Sequence, residues 1–292
     1  MTEIRTVRTV GDEPNCSKIM LRMGLSSGDT SHVVIIEIGG IPIALQTTDA
    51  GFVNLLQDRY GDYVNSGATP EFEFSVDLVP PGMFNADADA EVWLQDGEWR
   101  IERGDFCANW NPEKRLGQIH QSANPFSIDS VLRIVHTLLL ARAGGFLLHA
   151  SSAVRNGNAF LFSGLSEAGK TTIAQLAPPD VALLTDEASY VRKVGGNYVA
   201  YGTPFAGELG KPGENIAAPI RAVYLLEKAA ENRIDRVEPA EAVRRLMRNI
   251  LFFAHDEELV RLVFESACAF VAAVPVFQLS FFPDQRVWEL IG

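Results

Sequence analysis

Residues 159–172 read Ala-Phe-Leu-Phe-Ser-Gly-Leu-Ser-Glu-Ala-Gly-Lys-Thr-Thr, and they constrain the fold more than any other stretch. A short apolar run, 159–163, leads into Gly164. Ile173, Ala174, Leu176 and Ala177 then suit a helix. The expected local structure is strand, tight loop and helix start. Gly164 to Thr171 fits Gly-x-x-x-x-Gly-Lys-Ser/Thr, the phosphate-binding P-loop. Average residue frequencies put a chance match in roughly one in a hundred chains of this length. Gly164 and Gly169 allow turns and close ligand approaches that a Cβ forbids. Loop N–H groups and the start of the following helix then converge on one anion. The sequence therefore assigns the phosphates of a nucleotide to Gly164, Leu165, Ser166, Glu167, Ala168, Gly169, Lys170, Thr171 and Thr172. Lys170 reaches the outer phosphates, and the Thr171 hydroxyl ligates Mg²⁺.

Composition narrows the remaining classes. A chain of 292 residues is expected to hold two domains. Its hydrophobic share of 47% is ample for a buried core. The formal charge of −12 argues against nucleic acid as a partner and against an anionic membrane surface. Cys16, Cys107 and Cys268 are few, odd in number and far apart, so they suggest neither a disulfide framework nor a zinc site. A reducing cytoplasm fits them. The first residues, Met-Thr-Glu-Ile-Arg, hold no apolar signal core. The two most apolar stretches, 131–150 and 259–282, are interrupted by Arg133, His136 and Arg142, and by Arg261, Glu265 and Pro275, so neither suits a membrane span.

Residues 1–120 read as a smaller α+β module. Runs 33–37 and 41–45 flank Gly39-Gly40, a hairpin signal. Asp49 is placed to cap a helix through Tyr60, with Phe52, Leu55 and Leu56 on one face. Phe72, Phe74, Val76 and Leu78 alternate with polar residues as a half-buried strand, stopped by Pro80-Pro81-Gly82. Asp96-Gly97 joins strands 91–94 and 98–102. Asp77, Asp87, Asp89 and Glu91 read as solvated surface rather than metal ligands. The polar segment 109–124, with Pro112, reads as a domain boundary, so the second domain is 121–292.

Within the second domain, Asn124 caps a long apolar helix that Gly144-Gly145 ends. Strands are expected at 146–154 and 159–163, joined by Asn156-Gly157, and at 181–184. A third hairpin spans 189–201, and residues 203–213 form a candidate mobile loop. A strand at 221–226, helices at 239–251 and 256–272, a strand at 276–281 and a short closing helix complete the reading. The fold class is α/β: a P-loop domain with a mixed sheet behind a smaller α+β domain.

Asp186 and Glu187 follow the apolar strand 181–184, where α/β sheets present ligand-binding groups. A carboxylate there can share the Mg²⁺ of Thr171 or accept a proton from an attacking hydroxyl. His149 ends the run 146–148. Its ring can orient Asp186, bind phosphate when protonated, or serve as a packed core residue. Ser151 and Ser152 lack a nucleophile elbow and read as structural. No guanine-binding Asn-Lys-x-Asp is present.

Leu148-His149-Ala150-Ser151-Ser152, the loop at 164–171 and Leu184-Thr185-Asp186-Glu187, in that order, resemble the catalytic domain of HPr serine kinase/phosphorylase. That domain is in turn similar to the P-loop fold of phosphoenolpyruvate carboxykinases. The resemblance covers about 125–292. Glu187 stands where that family has a second Asp, and Thr171 stands for Ser. Tyr201-Gly-Thr-Pro-Phe-Ala-Gly-Glu208 replaces its Arg-Gly signature, which brings the chain closer to HPr-kinase-related proteins found beside peptide-modification genes. The resemblance implies an ATP- and Mg²⁺-dependent kinase acting on a hydroxyl of a protein, a peptide or a small alcohol. It implies Asp186 as general base beside His149, Lys170 on the phosphates, and Thr171, Asp186, Glu187 and Glu208 toward the metal. It also suggests a homo-oligomer. Phosphoryl transfer calls for a transition-state cation, for which Arg221, Arg236 and Lys211 are the candidates. The rival reading is a non-catalytic, regulatory ATP-binding protein.

Overall fold

The computed structural model describes residues 31–80 and 89–291. The N-terminal segment with Cys16, the dipeptide Pro81-Gly82 and Asp87 lie outside the described residues.

Gly39 and Gly40 take φ of 62° and 74°, so the chain reverses tightly between β1 (His32–Ile38) and β2 (Ile41–Thr47). Helix α1 (Ala50–Tyr60) follows, its first turn capped by Asp49, whose carboxylate accepts the Phe52 N–H at 2.7 Å. A crossover through α1 returns the chain as β3 (Phe72–Leu78), parallel to β2. Then come β4 (Glu91–Gln95), β5 (Glu98–Arg103), β6 (Phe106–Asn111) and β7 (Leu116–Gln121). The mixed sheet runs β1-β2-β3-β7-β6-β5-β4. The polar segment read as a boundary is therefore mostly strand, with Pro112 in the turn between β6 and β7. Its buried side chains Trp110 and Ile119 face the core, while Gln118 pairs with Asp77 on the wetter face.

Helix α2 (Pro125–Arg142) is buried along most of its length. It contributes Ile128, Val131, Val135 and Leu138 to a cluster that holds Phe74 and Trp110 of the first sheet and also Leu147, Tyr190 and Phe205 from beyond it. Polar ties join the same regions. Arg59 and Tyr60 hold the buried Asp129, and the Tyr63 hydroxyl donates to the Gly213 carbonyl at 3.0 Å.

The second mixed sheet is built on β8 (Phe146–Arg155) and β9 (Asn158–Ser163), joined at Asn156-Gly157 with φ of 51° and 73°. The six-residue α3 (Lys170–Gln175), β10 (Ala182–Thr185), β11 (Ala188–Val194) and β12 (Asn197–Tyr201) follow. Next are β13 (Ala217–Lys228), β14 (Arg233–Arg236), α4 (Pro239–Met247) and β15 (Ile250–Leu251). The chain closes with α5 (Glu257–Ala273), β16 (Val276–Phe281) and α6 (Val287–Leu290). Helix α4 thus ends short of residue 251, because 250–251 pair with β8 instead. Strand β8 pairs with β11 through 146–149 and with β9 through 150–155. Strand β13 likewise pairs with β12 through 217–219 and with β9 through 220–225. The pairings β8-β11-β12-β13-β9 close into a ring. Among the described residues no helix is long and apolar enough to cross a membrane.

Candidate functional site

The site is built at the fork in β8. His149 pairs with Ala188 of β11, and Ala150 pairs with Ser163 of β9. The residue before Ala188 is Glu187, and the residue after Ser163 is Gly164. One step in strand register therefore brings the acid pair and the glycine loop to a single place.

The loop is tightly packed. A Cβ on Gly164 would lie 2.7 Å from the Ala168 Cβ. Gly169 has φ +105°, and a Cβ there would meet the Phe281 ring at 2.7 Å. Both glycines are demanded by the geometry. Lys170 is 8% exposed, and its ammonium donates to the carbonyls of Gly164 and Leu165 at 3.1 Å each. Ser151 fastens the helix start by donating to the Lys170 carbonyl at 3.0 Å. Burial lowers the Lys170 pKa, while Glu187 and Glu208 oppose that shift. These two carboxylates are thus the acids whose field acts on the Lys170 ammonium.

Asp186 is held by the loop at 207–209. It is buried, and its two carboxylate oxygens accept the N–H groups of Gly207 and Leu209 at 2.8 Å each. Asp186 therefore pins residues 207–209, the segment carrying Glu208. The Thr185 hydroxyl accepts the N–H groups of Glu187 and Ala188 at 3.1 and 3.2 Å. Further bonds, Gly213 N–H to the Thr203 carbonyl and Glu214 N–H to that of Leu183, anchor the loop that sequence marked as mobile.

His149 Nδ1 lies 3.7 Å from a Glu187 oxygen. Burial and then the Lys170 charge lower the histidine pKa, and Glu187 partly offsets them. His149 is thus neutral at pH 7 beside an acid. Arg133, from α2, stacks over the Phe205 ring at 4.9 Å and adds to the positive field at His149.

Arg221, Arg236 and Lys211 are all exposed, and none of them lines the cleft beside the loop. Arg221 sits at the far end of the parallel β9–β13 pair, where Ile220 faces Ala159; the loop leaves the other end, where Leu225 faces Ser163. Arg236 lies on β14, opposite Phe277 of β16. The cations beside the loop are Arg244, Arg245 and Arg248. With Lys228 they line a cleft of about 480 Å³ whose other wall is 164–168. The sequence reading placed a helix at 239–251 and singled out none of them. The only signal for them was their spacing, which puts three cations on neighbouring turns.

Among the described residues no group of three or more His, Cys, Asp or Glu forms a metal cage. Mg²⁺ needs none, since it is held by one or two carboxylates together with substrate phosphates. Glu187 and Glu208, whose charges act on Lys170, and the hydroxyl of the adjacent Thr171 are donors of that kind.

The family model described as "SynChlorMet cassette protein ScmC" matches residues 118–292, more than half of the chain. The chain belongs to the ScmC family. The match begins at β7 and takes in the fork, the glycine loop, both acids and the arginine helix. Among solved structures, the HPr(Ser) kinase/phosphatase from Coxiella burnetii is similar at 12% identity. That likeness covers 50% of this chain and 85% of the other, with a TM-score of 0.30. No curated protein matches.

Proposed function

We propose that this ScmC-family chain is an ATP-dependent phosphotransferase that moves the γ-phosphoryl group of MgATP to a hydroxyl. The observation that carries this reading is the grouping of Lys170, Glu187, Glu208 and His149 where the P-loop leaves the forked strand. A phosphate loop alone says nucleotide. A buried ammonium in the field of two carboxylates, one of them beside an imidazole, adds groups that can handle a proton and a metal.

The roles follow from where each side chain points. Residues 164–172 hold the phosphates through backbone N–H groups, and Lys170 neutralises the outer ones. Thr171 and Glu208 hold Mg²⁺, which when bound spreads charge from the transferring phosphoryl group. Glu187 accepts the acceptor's hydroxyl proton, with His149 keeping its carboxylate oriented. The acceptor oxygen then forms a bond to the γ-phosphorus, the bridging β–γ bond breaks, and ADP leaves with the bridging oxygen. Asp186, the base and metal ligand expected from sequence, receives a positioning role because both its oxygens already hold the loop. The acceptor is a protein, a peptide or a small alcohol. The family description, a cassette protein, directs the search first to products of the same cassette.

The test is transfer from radiolabelled ATP to candidate acceptors. Lys170→Ala abolishes it. Glu187→Gln lowers kcat by about 100-fold or more, the loss of a general base. Asp186→Asn has a smaller effect on kcat and raises KM for MgATP. Undiminished transfer in Lys170→Ala and Glu187→Gln sinks the site. MgATP binding without transfer to any acceptor would support the regulatory alternative.

A further inference from the structure

The cleft between the glycine loop and α4 is not accounted for by the roles above. Its loop wall includes Gly164 and Leu165, the residues whose carbonyls receive the Lys170 ammonium. The lysine of a phosphate loop meets the β- and γ-phosphates. The amine is therefore directed to the half of the loop that borders the cleft, and a triphosphate seated on the loop ends at the cleft mouth.

The opposite wall carries four cations, Lys228, Arg244, Arg245 and Arg248, against two acids, Glu227 and Glu241. Arg244 is paired with Glu241. Arg245 is oriented by one hydrogen bond to the Gln278 side chain at 3.1 Å, which leaves its other N–H groups available. Arg248 makes no hydrogen bond among the described residues, and its charge acts on Glu241. The turn carrying it is fixed. The Asn249 side chain donates to the Arg245 carbonyl at 3.1 Å, and the Asn249 carbonyl accepts the His149 N–H at 2.7 Å. The arginines are thus attached to the same forked strand as the acid site. Cations in the last turn of a helix also favour its dipole, but that effect needs no opposing anion loop. Here Arg245, with N–H groups to spare, and Arg248 line the cleft together with residues 164–168, in a chain whose net charge is −12. Such an arrangement suits a group more highly charged than a diphosphate.

We propose that Arg245 and Arg248 bind the terminal phosphate of the nucleotide, so that the cleft selects triphosphate over diphosphate. They supply the cation that phosphoryl transfer requires, in place of Arg221, Arg236 or Lys211. This assignment rests on the nucleotide reading given above.

The experiment compares MgATP and MgADP affinity by calorimetry in the full chain, wild type and variants. Arg248→Ala, a change at an exposed position, weakens MgATP by about tenfold and leaves MgADP within about twofold. Arg245→Ala adds to the loss, and Arg248→Lys recovers part of it because charge returns without the planar fork. Lys170→Ala weakens both nucleotides. If Arg248→Ala and the double variant lower MgATP and MgADP equally, or neither, the assignment is overturned while the nucleotide reading stands. If the wild type binds neither nucleotide, both fall together.

Discussion

At the scale of single residues, the site depends on one glycine outside the loop motif. Gly207 passes over the acid pair so closely that a Cβ would lie 2.8 Å from Asp186 Oδ2 and 2.9 Å from the Glu187 Cβ. Neither neighbour can yield easily: one is a buried carboxylate with two backbone partners, the other a stem atom. Gly207→Ala is expected to cost about 1–3 kcal/mol of stability, as overpacking does. It also weakens MgATP, because the segment carrying Glu208 must move. Thermal melts with and without MgATP check both effects; an unchanged melt and an unchanged nucleotide shift would contradict the packing argument. The same spot shows what the sequence made legible. Adjacent acids at a strand end could be picked out as chemistry-bearing. Which acid the loop captures could not, because the loop N–H groups at 207 and 209 decide it, and these are contacts across 21 and 23 residues.

Among the elements, α2 carries the clearest local signal and the most burial. Asn124 accepts the N–H groups of Phe126 and Ser127 at 2.9 Å each, and its own amide donates to Ser122 and Ser127. Asn124→Ala removes a cap worth about 1 kcal/mol, up to about 2 where the host is rigid. Urea unfolding should show a lower midpoint with an unchanged slope; a changed slope would mean that the packing of α2 had altered as well. Caps and Gly-containing turns were readable because their determinants sit within a few residues. The β6–β7 hairpin was not, since polar side chains on its solvent-facing side masked Trp110 and Ile119. β14 was missed for a related reason: it is a four-residue edge strand of Arg-Ile-Asp-Arg, and charged edge strands look like loops. β15 exists only because β8 offers it an unpaired edge at Leu147 and Leu148.

For the whole molecule, long-range pairing decides the architecture. The ring β8-β11-β12-β13-β9 pairs strands about 60 residues apart, as Leu225 with Ser163, in register that no local pattern encodes. His136 lies in the packing between these parts. It is fully buried on α2, its Nδ1 is 2.9 Å from the Tyr190 hydroxyl of β11, and the two rings meet edge to face. Burial, assisted by the charge of Arg192, pushes its pKa from 6.5 down to about 3. The group is neutral when folded, and the unfolded chain takes up a proton that the folded chain refuses. Its contribution is therefore complete above pH 6.5 and is lost as pH falls toward 3. Between pH 7 and pH 5 the loss is about 2 kcal/mol. Denaturant unfolding at pH 7, 6 and 5 should show that fall in the wild type. His136→Gln keeps a polar partner for Tyr190 without titrating, so it begins less stable at pH 7 yet loses about 2 kcal/mol less over the same interval. His149 and His120, whose pKa values burial also lowers, are present in both proteins and cancel in the comparison. Parallel stability curves for the two proteins would mean that His136 can be protonated without opening the core between the two sheets.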